Sequence, residues 1–247
     1  MLRPSPNVLE ARNLIVRRTD FLLDVSMLDI AQGTCVGLIG PNGAGKTTLM
    51  QVLAGRLRPS AGVVRALDES LENLGASIGN AVGFVPDALE GVESMSVAQH
   101  LELRASVFQG WDAQYASSLI KRFDIAPNQK LSALSRGARA KLCFAAVEAF
   151  RPPLLLLDEP TSGLDPIVRL EFRAVISELL QVDPTRAVLF STHLTEDLEA
   201  LAHRIVMVQN GRVIADDVMP ESGSMDLRRA MVSTAIKLLA SRVAETH

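Results

Sequence analysis

Short apolar runs alternate along this chain with stretches whose apolar residues recur at helical spacing. The short runs are bounded by turn residues and predict strands at Val8–Val16, Phe21–Ile30, Cys35–Ile39, Val63–Leu67, Ala81–Val85, Leu154–Leu157 and Ala187–His193. Ile205–Val208, Asn210-Gly211 and Arg212–Ala215 predict a hairpin with a favoured turn pair. Helical spacing follows Thr47, runs through residues 88–150 and Pro166–Gln181, and returns at Met225–Val243. This alternation predicts an α/β fold with a mostly parallel sheet, preceded by two antiparallel strands, and function at the carboxyl ends of its strands.

Composition narrows the class of protein. The chain has 247 residues, 48% of them hydrophobic, which is enough for a sizeable core in one large domain or two small ones. A net charge of −3 gives no indication of nucleic-acid binding. Met1–Asn7 lacks the apolar core of a signal peptide, and no uncharged apolar run approaches the ~20 residues of a membrane-spanning helix. Cys35 and Cys143 lack metal-ligand spacing, so we expect buried thiols in a soluble, cytosolic chain.

The segment between Cys35–Ile39 and the following helix carries the clearest chemistry. Its sequence matches the phosphate-binding loop (P-loop) pattern, with Lys and Thr after the last glycine, in Gly40, Pro41, Asn42, Gly43, Ala44, Gly45, Lys46, Thr47 and Thr48. Glycines let consecutive N–H groups turn toward an anion, and the helix start adds its positive end. Lys46 would reach the β- and γ-phosphates, and the Thr47 hydroxyl would bind Mg²⁺. The alternative is a glycine-rich turn without function.

Two carboxylates end a second apolar strand. Asp158 and Glu159 follow Leu154–Leu157, and Pro160 comes next. Phosphoryl hydrolysis needs an anchored metal and a group that orients or deprotonates water. Asp158 suits the metal, directly or through water, and Glu159 suits the general base. Alternatively, the two acids only end the strand and cap the following turn.

Taken together, these motifs resemble those of the ATP-binding cassette (ABC) ATPases. Gly40–Thr48 matches Walker A and Leu154–Glu159 matches Walker B with its catalytic glutamate. Leu134-Ser135-Arg136-Gly137-Ala138 matches the signature. Ser162-Gly163-Leu164-Asp165 matches the D-loop, and Ser191-Thr192-His193 matches the segment with the switch histidine. The resemblance covers roughly residues 7–216. It implies a P-loop NTPase core from 7–87 and 151–216, a helical subdomain at about 88–150 and a helical tail at 217–247.

The resemblance also implies how the residues act on ATP and Mg²⁺. Two cassettes, identical or different, would pack head to tail, so that Ser135 and the Gly137 N–H reach the γ-phosphate of a partner's nucleotide. His193 would hold the attacking water and Glu159 in position, and Asp165 would link the two sites at the dimer seam. Each residue has a simpler alternative: Ser135 as a helix N-cap, His193 as a surface histidine, and Asp165 as the start of a helix.

Three departures separate this chain from the family pattern. The signature has Arg136 for a glycine and Ala138 for glutamine; Arg136 could contact phosphate or the partner, or stay solvated. Asp87 follows Pro86 where the family has a glutamine; its carboxylate could still approach the metal. The expected adenine-stacking aromatic is missing from the Arg17–Asp20 loop, so Phe21 could stack or join the core, or Arg18 could cover the base.

The resulting expectation is an ATP-hydrolysing subunit of an ABC transporter of the exporter type. Its transmembrane permease subunits would be separate chains that dock near Asp87–Met95 and the helical insert, at the cytoplasmic face of the membrane. No nucleic-acid partner is expected. Two alternatives remain open: a regulatory cassette that barely hydrolyses ATP, and a soluble ABC ATPase without a transport role. The tail helix could pack on the core, pair across the dimer or contact the membrane partner.

Overall fold

The computed structural model describes residues 7–75, 78–87, 91–107, 110–220 and 224–244. Met1–Pro6, part of the predicted Asp87–Met95 surface and parts of the predicted tail lie outside these ranges. The described strands are β1 (Asn7–Arg18), β2 (Phe21–Ala31), β3 (Cys35–Ile39), β4 (Ala61–Ala66), β5 (Glu69–Ser70), β6 (Val82–Val85), β7 (Leu154–Leu157), β8 (Ala187–Ser191), β9 (Arg204–Gln209) and β10 (Arg212–Val218). Within the described ranges, every helix is either too short or too polar to span a lipid bilayer.

The described strands form one sheet in the order β5-β4-β1-β2-β10-β9-β3-β8-β7-β6. From β9 to β6 all neighbours are parallel, as predicted. The first strands are antiparallel, and β10 joins the two parts because it runs antiparallel to β9 and parallel to β2. Parallel pairing brings the carboxyl ends of β3, β6, β7 and β8 to one edge of the sheet.

Alternation along the central strands divides the apolar residues between two cores. On β7, Leu155 and Leu157 belong to one core and Leu154 and Leu156 to the other, and all four are fully buried. The first core lies under the helices that follow β6, and the second lies between the sheet, the P-loop helix and the N-terminal strands. Burial on both faces explains why these strands read as continuous apolar runs rather than as alternating ones.

Helices cover both faces of the sheet. Within the described residues they are α1 (Lys46–Leu53), α2 (Leu71–Leu74), α3 (Ile78–Ala81), α4 (Val97–Val107), α5 (Ala113–Arg122), α6 (Arg136–Glu148), α7 (Pro166–Val182), α8 (Thr195–Leu201) and α9 (Met225–Ala244). A short 3₁₀ turn, Leu131–Ala133, precedes α6. The predicted hairpin is confirmed, since Asn210 and Gly211 both have positive φ, as its two-residue turn requires.

The sequence interpretation was wrong at the end of β8, and it did not predict β5, α2, α3 or α8. The strand predicted to run to His193 ends at Ser191. Beyond it the Thr192 hydroxyl accepts a hydrogen bond from the Leu194 N–H at 3.0 Å, which turns the chain out of the sheet. The helix α8, which starts at Thr195, was not predicted.

The tail helix α9 packs on the core, which is the first of the three alternatives that the sequence left open. Val232 and Ala235 face the first core. Arg228, only 2% exposed, donates to the carbonyls of Glu199, Pro220 and Ala202. These contacts include carbonyls at the end of α8, where a cation compensates unpaired acceptors and the negative end of the helix.

Candidate functional site

The P-loop lies between the carboxyl end of β3 and the start of α1. A Cβ on Gly40 would overlap the carbonyl oxygen of Val208, and one on Gly45 would lie 2.6 Å from Cζ of Phe21. Gly45 also has φ 106° at the N-cap of α1, a conformation that disfavours other residues. Glycine is therefore required at both positions, and the turn leaves the unpaired N–H groups at the start of α1 directed into the loop.

Lys46 lies beneath this loop and is 8% exposed. Its Nζ donates to the carbonyl of Gly40 at 2.8 Å and reaches that of Pro41 at 3.4 Å. Within the described residues it has no carboxylate partner, so its charge is available to an anion in the loop.

A cleft of about 630 Å³ opens beside the P-loop. Its lining combines the P-loop, the turn between β1 and β2, and the end of β7: Arg18, Asp20, Phe21, Asn42, Gly43, Ala44, Gly45, Lys46, Thr47, Thr48, Asp158 and Glu159. The fold thus brings the P-loop residues together with Asp158 and Glu159. The P-loop and the two carboxylates are more than 100 residues apart in the sequence. They meet because they follow parallel strands whose carboxyl ends lie at the same edge of the sheet.

Ser191 links the two carboxylate positions. Its Oγ donates to Asp158 Oδ1 at 2.7 Å and accepts the Glu159 N–H at 2.8 Å. Asp158 is 3% exposed, so this bond fixes a nearly buried carboxylate. The sequence interpretation gave Ser191 no role of its own; its position at the end of a strand that neighbours β7 was the available signal.

Glu159 lines the cleft and pairs with His193, which lies outside the cleft lining. The Glu159 Oε2 and His193 Nδ1 atoms are 2.8 Å apart. The Glu159 side chain is 20% exposed and that of His193 59%. Glu159 also has φ 48°, a left-handed conformation that costs about 1–3 kcal/mol for a residue other than glycine. Such a cost is tolerated where the surrounding structure needs the side chain at one place.

Phe21 combines both of its predicted environments. Its ring packs beside Gly45 and partly against the second core, and it also lines the cleft. Arg18 and Asp20 line the same side. The adenine-binding role of Phe21 or Arg18 stays a prediction.

The signature residues lie outside this cleft lining. Ser135 is the N-cap of α6, and its Oγ accepts the Ala138 N–H at 3.1 Å. Gly137 packs beside Val168 of α7, and the exposed Arg136 guanidinium lies against Gly163, where an added Cβ would be 2.7 Å from Arg136 Cζ. The departure from the family pattern therefore places a cation over the D-loop of the same chain.

Asp165 and Asp87 also lie outside the cleft lining. Asp165 is the N-cap of α7 and accepts the N–H groups of Ile167 and Val168 at 3.0 and 3.1 Å. Capping thus accounts for its local geometry, and a role at a dimer seam stays a prediction. Asp87 is exposed just after β6, and its predicted metal role also stays untested.

Fold and cleft together define a P-loop nucleotide-binding protein. The family model described as ABC transporter matches residues 23–162, more than half of the chain. The chain belongs to the ABC transporter family.

Individual relatives and a solved structure agree with this assignment. An uncharacterised ABC transporter ATP-binding protein, YdbJ of Bacillus subtilis, is 34% identical over 197 residues, which are 79% of this chain and 63% of the relative. The Nod factor export ATP-binding protein I of Paraburkholderia xenovorans is 32% identical over 201 residues, 79% of this chain and 65% of the relative. The chain therefore spans less than two thirds of the length of these relatives. A solved ATP-binding subunit of an ABC transporter has the same fold, with a TM-score of 0.81, 24% identity and coverage of 94% of this chain and 99% of that one.

Proposed function

We propose that this chain binds and hydrolyses ATP and thereby powers an ABC transporter of the exporter type. The observation that carries the proposal is the 2.8 Å contact between His193 and Glu159, since Glu159 lines a cleft together with the P-loop and Asp158. Membership of the ABC transporter family and the similarity to a Nod factor export ATP-binding protein support it.

The donors present fit a magnesium ion. Thr47 and Asp158 both line the cleft and offer a hydroxyl and a carboxylate oxygen, which are hard ligands. No cluster of three or more His, Cys, Asp or Glu side chains suited to a metal occurs in the described parts of the chain. That is typical of Mg²⁺, which uses one or two protein oxygens together with phosphates and water. When bound, the ion would offset the negative charge of the phosphates.

Glu159 and its partners account for the proton transfer. The Glu159 carboxylate takes the proton of the attacking water, and His193 orients that carboxylate through their hydrogen bond. Ser191 bonds both the Glu159 N–H and the Asp158 carboxylate. It therefore holds the general base at a fixed distance from the carboxylate that would bind the metal. Lys46 and the loop N–H groups stabilise charge on the phosphates.

A second cassette completes the site. Ser135 is exposed at the tip of α6, outside the lining of this chain's own cleft. A helix start with an exposed hydroxyl and backbone N–H groups suits a phosphate brought by another molecule. Head-to-tail packing of two cassettes supplies that phosphate, and a homodimer and a heterodimer satisfy the geometry equally.

The membrane-spanning partners are proposed to be separate permease chains that hold this subunit at the cytoplasmic face. A groove of about 570 Å³ on the helical part of the chain suits one of their cytoplasmic segments. Its lining mixes polar and apolar side chains: Ser94, Met95, Gln99, Glu102, Leu103 and Ser106. Leu103 is 46% exposed there, and Val92 nearby in the chain is 53% exposed.

The test is Mg²⁺-dependent phosphate release by the purified chain. Lys46→Ala and Glu159→Gln should each lower the rate roughly a hundredfold or more, because the first removes charge stabilisation on the phosphates and the second removes the general base. Lys130→Ala and Glu69→Gln, at exposed positions away from the cleft, are matched controls that should keep the rate. ATP binding without phosphate release by the wild type would refute hydrolysis and indicate a regulatory cassette instead.

A further inference from the structure

A buried polar cluster lies behind the Glu159–His193 pair. Asp197, on the first turn of α8, is 1% exposed. Its Oδ2 accepts the Thr161 hydroxyl at 2.5 Å, and its Oδ1 accepts Nε of Arg173 at 2.6 Å. The Thr192 hydroxyl lies 3.5 Å from Oδ2. Thr161 and Thr192 are themselves only 2% and 1% exposed.

This cluster joins the two loops that carry the pair. Thr161 is two residues after Glu159, in the loop after β7, and Thr192 directly precedes His193, in the loop after β8. One carboxylate therefore contacts both loops. A carboxylate this deeply buried is unfavourable unless its oxygens are paired, so Asp197 restricts where Thr161, Thr192 and Arg173 can lie.

Directional bonds matter here because His193 is itself exposed. With 59% of its side chain in solvent, packing does little to fix its ring, and the 2.8 Å contact with Glu159 depends on where the two loops place the residues. Hydrogen bonds from both loops to one buried acceptor fix that placement more closely than apolar packing would.

We infer that Asp197 is a positioning residue that holds the loops after β7 and β8 at the separation at which His193 reaches Glu159. The inference rests on the proposed function in so far as the pair acts on ATP. Asp197 itself lies outside the cleft lining and touches no reacting atom.

Thr161→Val is the mildest test, since it removes one hydroxyl and keeps the side-chain shape. The rate constant kcat should fall about tenfold or more, the scale expected when a catalytic group is slightly displaced. KM for ATP should stay within about twofold, because the P-loop is untouched. Thr234→Val, at an exposed position of α9, is the matched control and should change neither value.

A mutant cycle separates positioning from a merely structural role. In a His193→Ala background, Thr161→Val and Asp197→Asn should lower kcat no further, because the pair they position is already lost. Multiplicative losses in that background, or a Thr161→Val variant with wild-type kcat, would overturn the inference.

Hydrogen–deuterium exchange of the nucleotide-free chain supplies a readout independent of activity. Asp197→Asn and Thr161→Val should speed exchange in both 159–165 and 191–195 while other peptides keep wild-type rates. Unchanged exchange in 191–195 would overturn the inference. If exchange responds as expected but the wild type releases no phosphate, the proposed function fails and the coupling of the loops stands.

Discussion

Replacing Arg186 with methionine should expose how much one buried ion pair contributes to this fold. Glu148, at the end of α6, is 0% exposed. Its carboxylate accepts Nη1 and Nη2 of Arg186 at 2.6 and 2.7 Å and the hydroxyl of Tyr115 at 3.2 Å. Arg186, just before β8, also donates to the carbonyl of Pro152 at 2.9 Å. The variant would leave a buried carboxylate with one neutral donor.

The expected loss follows from these contacts. Breaking a buried pair from one side costs about 3–5 kcal/mol, because the remaining charge stays desolvated. At about 2–4 °C per kcal/mol for a chain of this size, the midpoint of thermal unfolding should fall by about 6–20 °C. The double variant Glu148→Leu/Arg186→Met should recover most of the loss, since apolar replacement of both partners removes the unpaired charge.

Guanidinium unfolding followed by circular dichroism measures these free energies. Arg212→Met is the matched control, because Arg212 pairs with Asp24 at 3.4 Å with 66% of its side chain exposed; its loss should cost at most about 1 kcal/mol. An Arg186→Met variant within about 1 kcal/mol of wild type, or a double variant no more stable than the single one, would show that the unpaired Glu148 carboxylate is not what destabilises the fold.

Three further predictions follow from the same structure. Burial, helped by the Arg104 charge, lowers the pKa of His100, and burial with the Arg228 charge lowers the pKa of His203. Below about pH 6.5 the unfolded chain therefore binds protons that the folded chain does not, so the free energy of unfolding should rise with pH through that window. Unfolding curves at about pH 5.5 and 7.5 should show this rise, and it should be smaller in His100→Phe/His203→Gln; an equal rise in both proteins would count against it. Burial raises the pKa of the Cys35 thiol, so iodoacetamide should label Cys35 only after the protein unfolds. Mass spectrometry locates the label, and labelled Cys35 in the folded protein would contradict this prediction. Ser191→Ala removes both bonds that align Asp158 with Glu159 and should lower kcat about ten- to hundredfold. The free energy of unfolding should also fall, by about 1–3 kcal/mol, because a buried carboxylate and an N–H group lose their partner. Steady-state phosphate release measures kcat, and an unchanged kcat would be inconsistent with the alignment.

Local patterns in the sequence were sufficient for the sheet and the P-loop. Buried parallel strands appear as uninterrupted apolar runs such as Leu154–Leu157, and a phosphate loop has its glycines and lysine within one short segment. The hairpin turn was equally local, because Asn210-Gly211 alone specifies it. These features needed no knowledge of distant parts of the chain.

Long-range polar contacts could not be predicted in the same way. The Thr161–Asp197 bond joins residues 36 positions apart, and Glu148 meets Arg186 over 38 positions. Nothing in the local spacing names the partner of a buried charge, so these contacts appear only once the fold is known. The helix α8 was a different omission: Leu198, Leu201 and Ala202 have helical spacing, but over only two turns.

In the proposed mechanism ATP joins two cassettes, one supplying the P-loop and the other Ser135. Light scattering of the Glu159→Gln variant during gel filtration tests it most directly, because blocked hydrolysis should let the joined state accumulate. With Mg²⁺ and ATP the mass should double from the 26.6 kDa of one chain, and adding Ser135→Arg should abolish the doubling. A single-chain mass with ATP bound, or a dimer that forms equally well without nucleotide, would rule out pairing of two cassettes by ATP.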